Sequence, residues 1–205
     1  MRAASLAVAA AVLLAACGAD PASPAPGTTA PSAPPATLAP SQPVPATTAP
    51  SASATGAQPV EDPALLAVLP VAVDGVPVAI ESIAFQEALA DPGFSSAVEA
   101  AAFAVVVDAS DLASAVVARP HPGTFSDAWY ADWRATYDRG ACSQAGGLAA
   151  TTETELGDGR VLYVGTCSGG LHTYHTWLPG RSVVISAFGL GDRRFGEQLM
   201  AGIRP

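Results

Sequence analysis

Apolar and polar residues alternate from Ala149 onward, the period of a strand with one buried face. Four segments carry it, at 151–156, 160–167, 171–178 and 182–188. Their connections, Gly157-Asp158-Gly159, Ser168-Gly169-Gly170 and Pro179-Gly180, are short and join antiparallel neighbours. Ahead of them the period lengthens. Phe125, Trp129, Trp133 and Tyr137 recur every four residues, which predicts a helix over 124–138 with an aromatic stripe, closed by Gly140. Asp127 and Asp132 fall on its wetter side, and Tyr130 lies off the stripe. Asp192 stands where it would cap a last helix in which Phe195, Leu199 and Ile203 share one face.

The earlier part of the domain reads less cleanly. Asp62-Pro63 before Ala64 predicts a short helix with an N-cap and a proline at its first position, stopped by Pro70. Asp74-Gly75 between valine-rich runs predicts a tight hairpin, its second strand reaching Phe85. Residues 94–102 read as a helix, with strands at 103–107 and 113–119 turned at 108–111. The whole is expected to be α+β: an antiparallel sheet with helices packed on one face, a C-terminal β-meander and a terminal helix. Residues 60–205 suffice for one such domain.

The chain before it has another character. Met1-Arg2 followed by the apolar run to Ala16 has the form of a secretory signal peptide, and is too short to span a bilayer. It ends in Leu14-Ala15-Ala16-Cys17, which resembles the lipobox of bacterial lipoproteins. The resemblance implies that Cys17 is the lipidation site, carrying a diacylglyceryl group and a further acyl chain on its amine. At about 0.8 kcal/mol per buried CH₂, two or more chains hold a protein to a membrane where one does not. Residues 17–59 are nearly all Ala, Pro, Ser, Thr and Gly, with TTAPSA twice, and predict a disordered tether. The expected location is therefore the extracytoplasmic face of the cell membrane, with the membrane itself as a partner through the anchor. The element order, with "LAVLPVAVDGVPV" and "WLPGRSVVISAFG", also looks like that of surface lipoproteins of high-GC bacteria, a group with no assigned chemistry.

Charge narrows the partners. The chain has 18 acidic and 9 basic residues, none of them lysine, for a net charge of −9. Such a surface is not drawn to nucleic acid. With Cys17 lipidated, Cys142 and Cys167 remain as an even pair in an oxidising compartment and are expected to form a disulfide.

Several motifs invite chemistry. His172-Thr-Tyr-His175 has a metal-like spacing, but on a strand residues three apart point to opposite faces. "VLYVGTC" resembles a fragment of the sortase nucleophile strand, which would make Cys167 the nucleophile, with His121 and Arg181 nominated as its partners. A long helix follows His121 where that family continues its barrel, and Cys142 stands ready to oxidise the thiol. Ser168-Gly169-Gly170 reads as a hairpin loop, and Asp108-Ala-Ser-Asp111 lacks the spacing of a calcium loop. What is left is aromatic. If His175 and Trp177 face outward, they and Tyr130 form a surface patch for a ligand or envelope partner. The reading is thus a non-enzymatic, lipid-anchored ligand- or partner-binding domain with no cofactor and no metal. The alternatives are a structural interaction module without a pocket and, behind it, a sortase-like or hydrolytic enzyme.

Overall fold

The computed structural model describes residues 57–205. The signal segment, Cys17 and nearly all of the tether lie outside the described residues. In chain order, β1 (Val60–Glu61) leads to a 3-10 helix (Pro63–Val68). Asp62 caps that helix by accepting a hydrogen bond from the Ala64 amide. β2 (Ala72–Val73) and β3 (Val76–Pro77) form a small hairpin. Asp74 and Gly75 both have positive φ, 47° and 78°, the backbone that an Asp-Gly hairpin turn requires. Then follow β4 (Ala79–Ile80), α1 (Ser82–Ala88), α2 (Pro92–Ala97), β5 (Val98–Asp108) and β6 (Asp111–Pro120). The chain continues through α3 (Asp127–Cys142), β7 (Leu148–Glu155), β8 (Val161–Cys167) and β9 (His172–Leu178). A 3-10 turn (Pro179–Arg181), β10 (Val183–Leu190) and α4 (Phe195–Ala201) complete it.

The class is α+β. Eight strands form one sheet in the order β1-β5-β6-β10-β9-β8-β7, with β4 also paired to β5. Every pairing is antiparallel except β1 with β5. β7 to β10 form the meander, and α3 carries the chain from β6 across to β7 so that β10 returns beside β6. The long central hairpin β5–β6 is stitched from Val107–Leu112 down to Val98–Pro120.

Helices cover both faces of the sheet, not one. On one face the first 3-10 helix and α4 close over Ala102, Ala115 and Ile185, with Leu69, Phe195 and Leu199 between them. On the other, α1, α2 and α3 pack Phe85, Phe94 and Trp133 against Phe103, Val116 and Val184. The physical reason lies in β5, whose residues from Ala100 to Ala104 are all buried. A strand buried on both sides reads as a continuous apolar run and needs two covers.

Three element boundaries differ from the expectation. The second hairpin strand does not run to Phe85, because Glu81 caps α1 by accepting from the Ile83 amide and turns the chain helical. The helix expected over 94–102 stops at Ala97, where Val98 joins the sheet. Alanine strongly favours helix, so here the pairing with β6 and burial between two helix layers override local propensity. The terminal helix starts after Arg194, in the left-handed region at φ 54°, rather than at Asp192.

Candidate functional site

Ser126 starts α3 by accepting a hydrogen bond from the Trp129 amide at 3.1 Å, and Asp127 follows in the first turn, where a negative charge suits the helix dipole. The helix then lays two neighbouring i, i+4 rows on the sheet. One is the aromatic stripe. Phe125 stacks on Trp177 with ring centroids 3.9 Å apart, Trp133 Nε1 donates to Ser186 Oγ at 2.9 Å, and Tyr137 stands edge-on to His175 at 5.1 Å. The other row is Tyr130, Arg134, Asp138 and Cys142. Tyr130 packs edge-on against Tyr163, and the Arg134 guanidinium lies 3.4 Å from the centre of the Tyr163 ring. Cys142 is bonded to Cys167 at the end of β8, the two Cα atoms 5.2 Å apart.

Asp138 is the polar centre of this interface. Its Oδ1 accepts from Thr173 Oγ1 at 2.5 Å and lies 2.7 Å from His175 Nε2. His175 Nδ1 lies 2.8 Å from Ser186 Oγ, its cross-strand neighbour on β10. Only 5 % of Asp138 and 1 % of His175 are exposed, and Ser186 is fully buried. Burial works to raise the Asp138 pKa, but hydrogen bonds from His175 and Thr173 and the nearby Arg134 charge outweigh it, holding the carboxyl below its ordinary value. Burial lowers the pKa of His175, against the pull of Asp138. Together these give one proton arrangement. Trp133 donates to Ser186, Ser186 to His175 Nδ1, His175 Nε2–H and the Thr173 hydroxyl to Asp138. Every donor in this chain finds an acceptor with a neutral ring and an ionised carboxylate. Burial also pushes the phenols of Tyr130 and Tyr137 well above their ordinary range.

Asp138, His175 and Ser186 are the residue types of a hydrolase triad, but the ring is turned the other way. Serine bonds Nδ1 and aspartate bonds Nε2, whereas a triad uses Nε2 as the base toward serine. Ser186 is also inaccessible and already holds Trp133. In this geometry the chain of hydrogen bonds ties α3 to β9 and β10.

Beside the network, the second row of α3 and the upper face of β7–β8 enclose a groove of about 410 Å³. Arg134, Ala135 and Asp138 form one wall, and Thr151, Glu153 and Tyr163 the other. Register explains the second wall. Thr151 pairs with Gly165 and Glu153 with Tyr163, and Tyr163 with His175, so all share the face that α3 covers. Gly165 has a steric role. A Cβ there would collide with Thr173 Oγ1 and lie 3.2 Å from Asp138 Oδ1.

The residues singled out in the sequence fare differently. Cys142 and Cys167 form the expected disulfide, so Cys167 is not a free thiol. Register also separates it from its nominated partners. Thr166 aligns through His172 and Gly189 with Ala113, whereas His121 and Arg181 lie at the opposite end of β6 and β10. His172 and His175 point to opposite faces. His172 lies beside Tyr174, with its Nδ1 3.3 Å from Thr166 Oγ1. The proposed outward patch of His175, Trp177 and Tyr130 is corrected, because His175 is buried under α3, Tyr130 is buried between α3 and Tyr163, and Trp177 is half-buried beneath Phe125. Alternation placed His175 and Trp177 on one face, but that face is the one the helix covers. Asp138, Arg134, Thr173 and Ser186 were missed. The available signal was the i, i+4 row from Tyr130 to Cys142, one position on from the aromatic stripe. Among the described residues no group of three or more His, Cys, Asp or Glu side chains converges as a metal site, and no helix is long and apolar enough to cross a membrane.

The chain matches no protein-family model, no curated protein and no solved structure in the three comparisons made.

Proposed function

We propose that this is an exported protein, anchored to the outer face of the cell membrane through Cys17, whose domain binds a small polar ligand in the groove between α3 and β7–β8 without transforming it. One observation carries the binding reading. A groove at the lower end of small-molecule pocket volumes has a nearly buried, ionised Asp138 and a stacked Arg134 on the same wall. The lipobox-like Leu14-Ala15-Ala16-Cys17 and the Pro/Ala/Ser/Thr tether support the location, and the disulfide suits an oxidising compartment. Against a hydrolytic role stands the geometry of Ser186, which is buried and committed to Trp133.

The test is thermal unfolding of the purified full-length chain with a panel of small amines, carboxylates and amino acids, alongside an Ala135→Trp variant. Ala135 is exposed on the groove wall, so tryptophan there fills the groove without entering the core. The proposal expects at least one panel member to raise the Tm of the parent and not of the variant. A flat panel, or shifts that survive Ala135→Trp, would refute it.

A second reading is favoured by β7, whose eight residues are exposed along their whole length at the edge of the sheet. Such an edge accepts an added strand, as an interaction module without a pocket would use it. Under that reading, substitution of Thr152 by proline abolishes partner binding and Ala135→Trp does not.

A further inference from the structure

Building on the groove reading, we infer that its ligand is a small zwitterion, such as an α-amino acid, with its carboxylate on Arg134 and its ammonium between Asp138 and Glu153. The inference rests on two opposite charges that share a helix face and do not pair. Arg134 and Asp138 are one α-helical turn apart, a separation of about 6 Å at which side chains normally meet. Neither partners the other. Among the described residues Arg134 forms no ion pair and its Nε is buried without a hydrogen bond. What orients it is aromatic, since its guanidinium lies over Tyr163 at 3.4 Å and within 4.9 Å of the Tyr130 ring. A guanidinium held flat by rings keeps its donors for a planar oxyanion.

Asp138 is drawn the other way, toward the sheet. Both of its hydrogen bonds enter at Oδ1, which leaves Oδ2 without one. The carboxylate lines the groove and retains acceptor capacity there. Glu153 lies across from it on β7, beside Tyr163, and Thr151 lies on the same face of that strand. The groove therefore presents one cation and two carboxylates, with Thr151 on the same wall as Glu153. A purely anionic ligand would meet Asp138 and Glu153 unfavourably, and a purely cationic one would leave Arg134 unanswered. A molecule carrying both charges a few bonds apart answers both.

Three probes that share one five-carbon alkyl chain separate the cases: L-norleucine, n-pentylamine, which lacks its carboxylate, and hexanoate, which lacks its amine. Titration calorimetry on the purified full-length chain is expected to give L-norleucine an affinity at least about tenfold above either single-charge probe. Arg134→Gln is expected to bring L-norleucine down to the level of pentylamine while leaving pentylamine unchanged. Glu153→Gln is expected to weaken L-norleucine and pentylamine and not hexanoate. Arg134→Lys, which keeps the charge and loses the planar fork, checks that Arg134→Gln acts through recognition, and is expected to retain part of the binding. If single-charge probes bind as tightly as L-norleucine and Ala135→Trp still abolishes them, the ligand class is overturned while the groove reading stands. If no probe binds, or binding survives Ala135→Trp, both are overturned.

Discussion

His175 Nε2 lies 2.7 Å from Asp138 Oδ1, a contact that joins β9, the third strand from the β7 edge of the sheet, to α3 one turn before its end. It sits in the middle of a five-residue chain from Trp133 to Thr173, and it makes the packing of α3 dependent on two protonation states.

The first consequence is a stability that falls in mild acid. Folded His175 titrates below its ordinary 6.5 because burial disfavours the charged ring. Below about pH 6.5 the unfolded chain therefore takes up a proton that the folded one does not, and stability declines as the pH falls toward the folded value. Above about pH 6.5 this contribution is complete. Asp138, whose folded pKa also lies below its unfolded value, adds a second loss in the carboxylate range, around and below pH 4. Urea unfolding between pH 4.5 and 8 should show stability level above about 6.5 and falling below it. His175→Gln should be less stable throughout but flatter between pH 5 and 6.5. Parallel curves for the two proteins would mean that another group titrates.

Gly165 is expected to reject even a methyl group. Alanine in a strand ordinarily stabilises relative to glycine by roughly 0.5–1 kcal/mol. Here its Cβ would collide with Thr173 Oγ1, so Gly165→Ala should instead destabilise by about 1–3 kcal/mol. Adding Thr173→Ala removes the obstructing hydroxyl and should recover part of the loss, which a double-mutant cycle in urea would measure. A stabilising Gly165→Ala would show that Asp138 and Thr173 do not occupy the space above β8.

Ser186→Ala should cost about 1–3 kcal/mol, because it leaves Trp133 Nε1 and His175 Nδ1 without partners in a dry interface. The indole is also a reporter. Loss of its hydrogen bond should change the near-ultraviolet dichroism of Trp133 while the far-ultraviolet spectrum stays the same. No change in either stability or the tryptophan signal would remove Ser186 from the network.

The Cys142–Cys167 bond closes a segment with a sequence separation of 25. In the chain-entropy model that contributes about 3.5 kcal/mol. Reduction, or the double change to alanine, should lower the urea midpoint accordingly. Because Asp138 stands one turn before Cys142, it should also loosen the groove more than the opposite sheet face. Hydrogen exchange should show faster amides in the last turns of α3 and in β8, with β5 and β6 little affected.

The proposed anchor predicts that Cys17→Ala moves the protein from the membrane fraction to the soluble one, because alanine has no sulfur to carry the diacylglyceryl group. Intact mass of the membrane-extracted chain should exceed that of the polypeptide from Cys17 by a diacylglyceryl group and an acyl chain. Equal sedimentation of the variant with lipid vesicles would count against the anchor.

Much of the fold was written in local chemistry. The period-two pattern after Ala149 and the Gly-containing loops between its segments specify an antiparallel meander, since strands joined so closely have no other way to pair. The four-residue recurrence of Phe125, Trp129, Trp133 and Tyr137 specifies α3, and the count of the cysteines with their expected compartment pointed to the bond between Cys142 and Cys167. Alternation also separated His172 from His175 by face. Those features depend on neighbours in the chain. Which face a helix covers does not, and here only the tertiary structure decided it. His175 looked like a candidate for the surface until α3 was laid over β9, and Arg134 and Asp138, which no pattern singled out, acquired roles only with β8 and β9 opposite them. The strand residues that Arg134 and Asp138 meet are 29 to 37 residues away in the chain, brought opposite by strand register and by the disulfide. A charged or polar side chain acquires its role from what faces it across the sheet, and no local pattern carries that information.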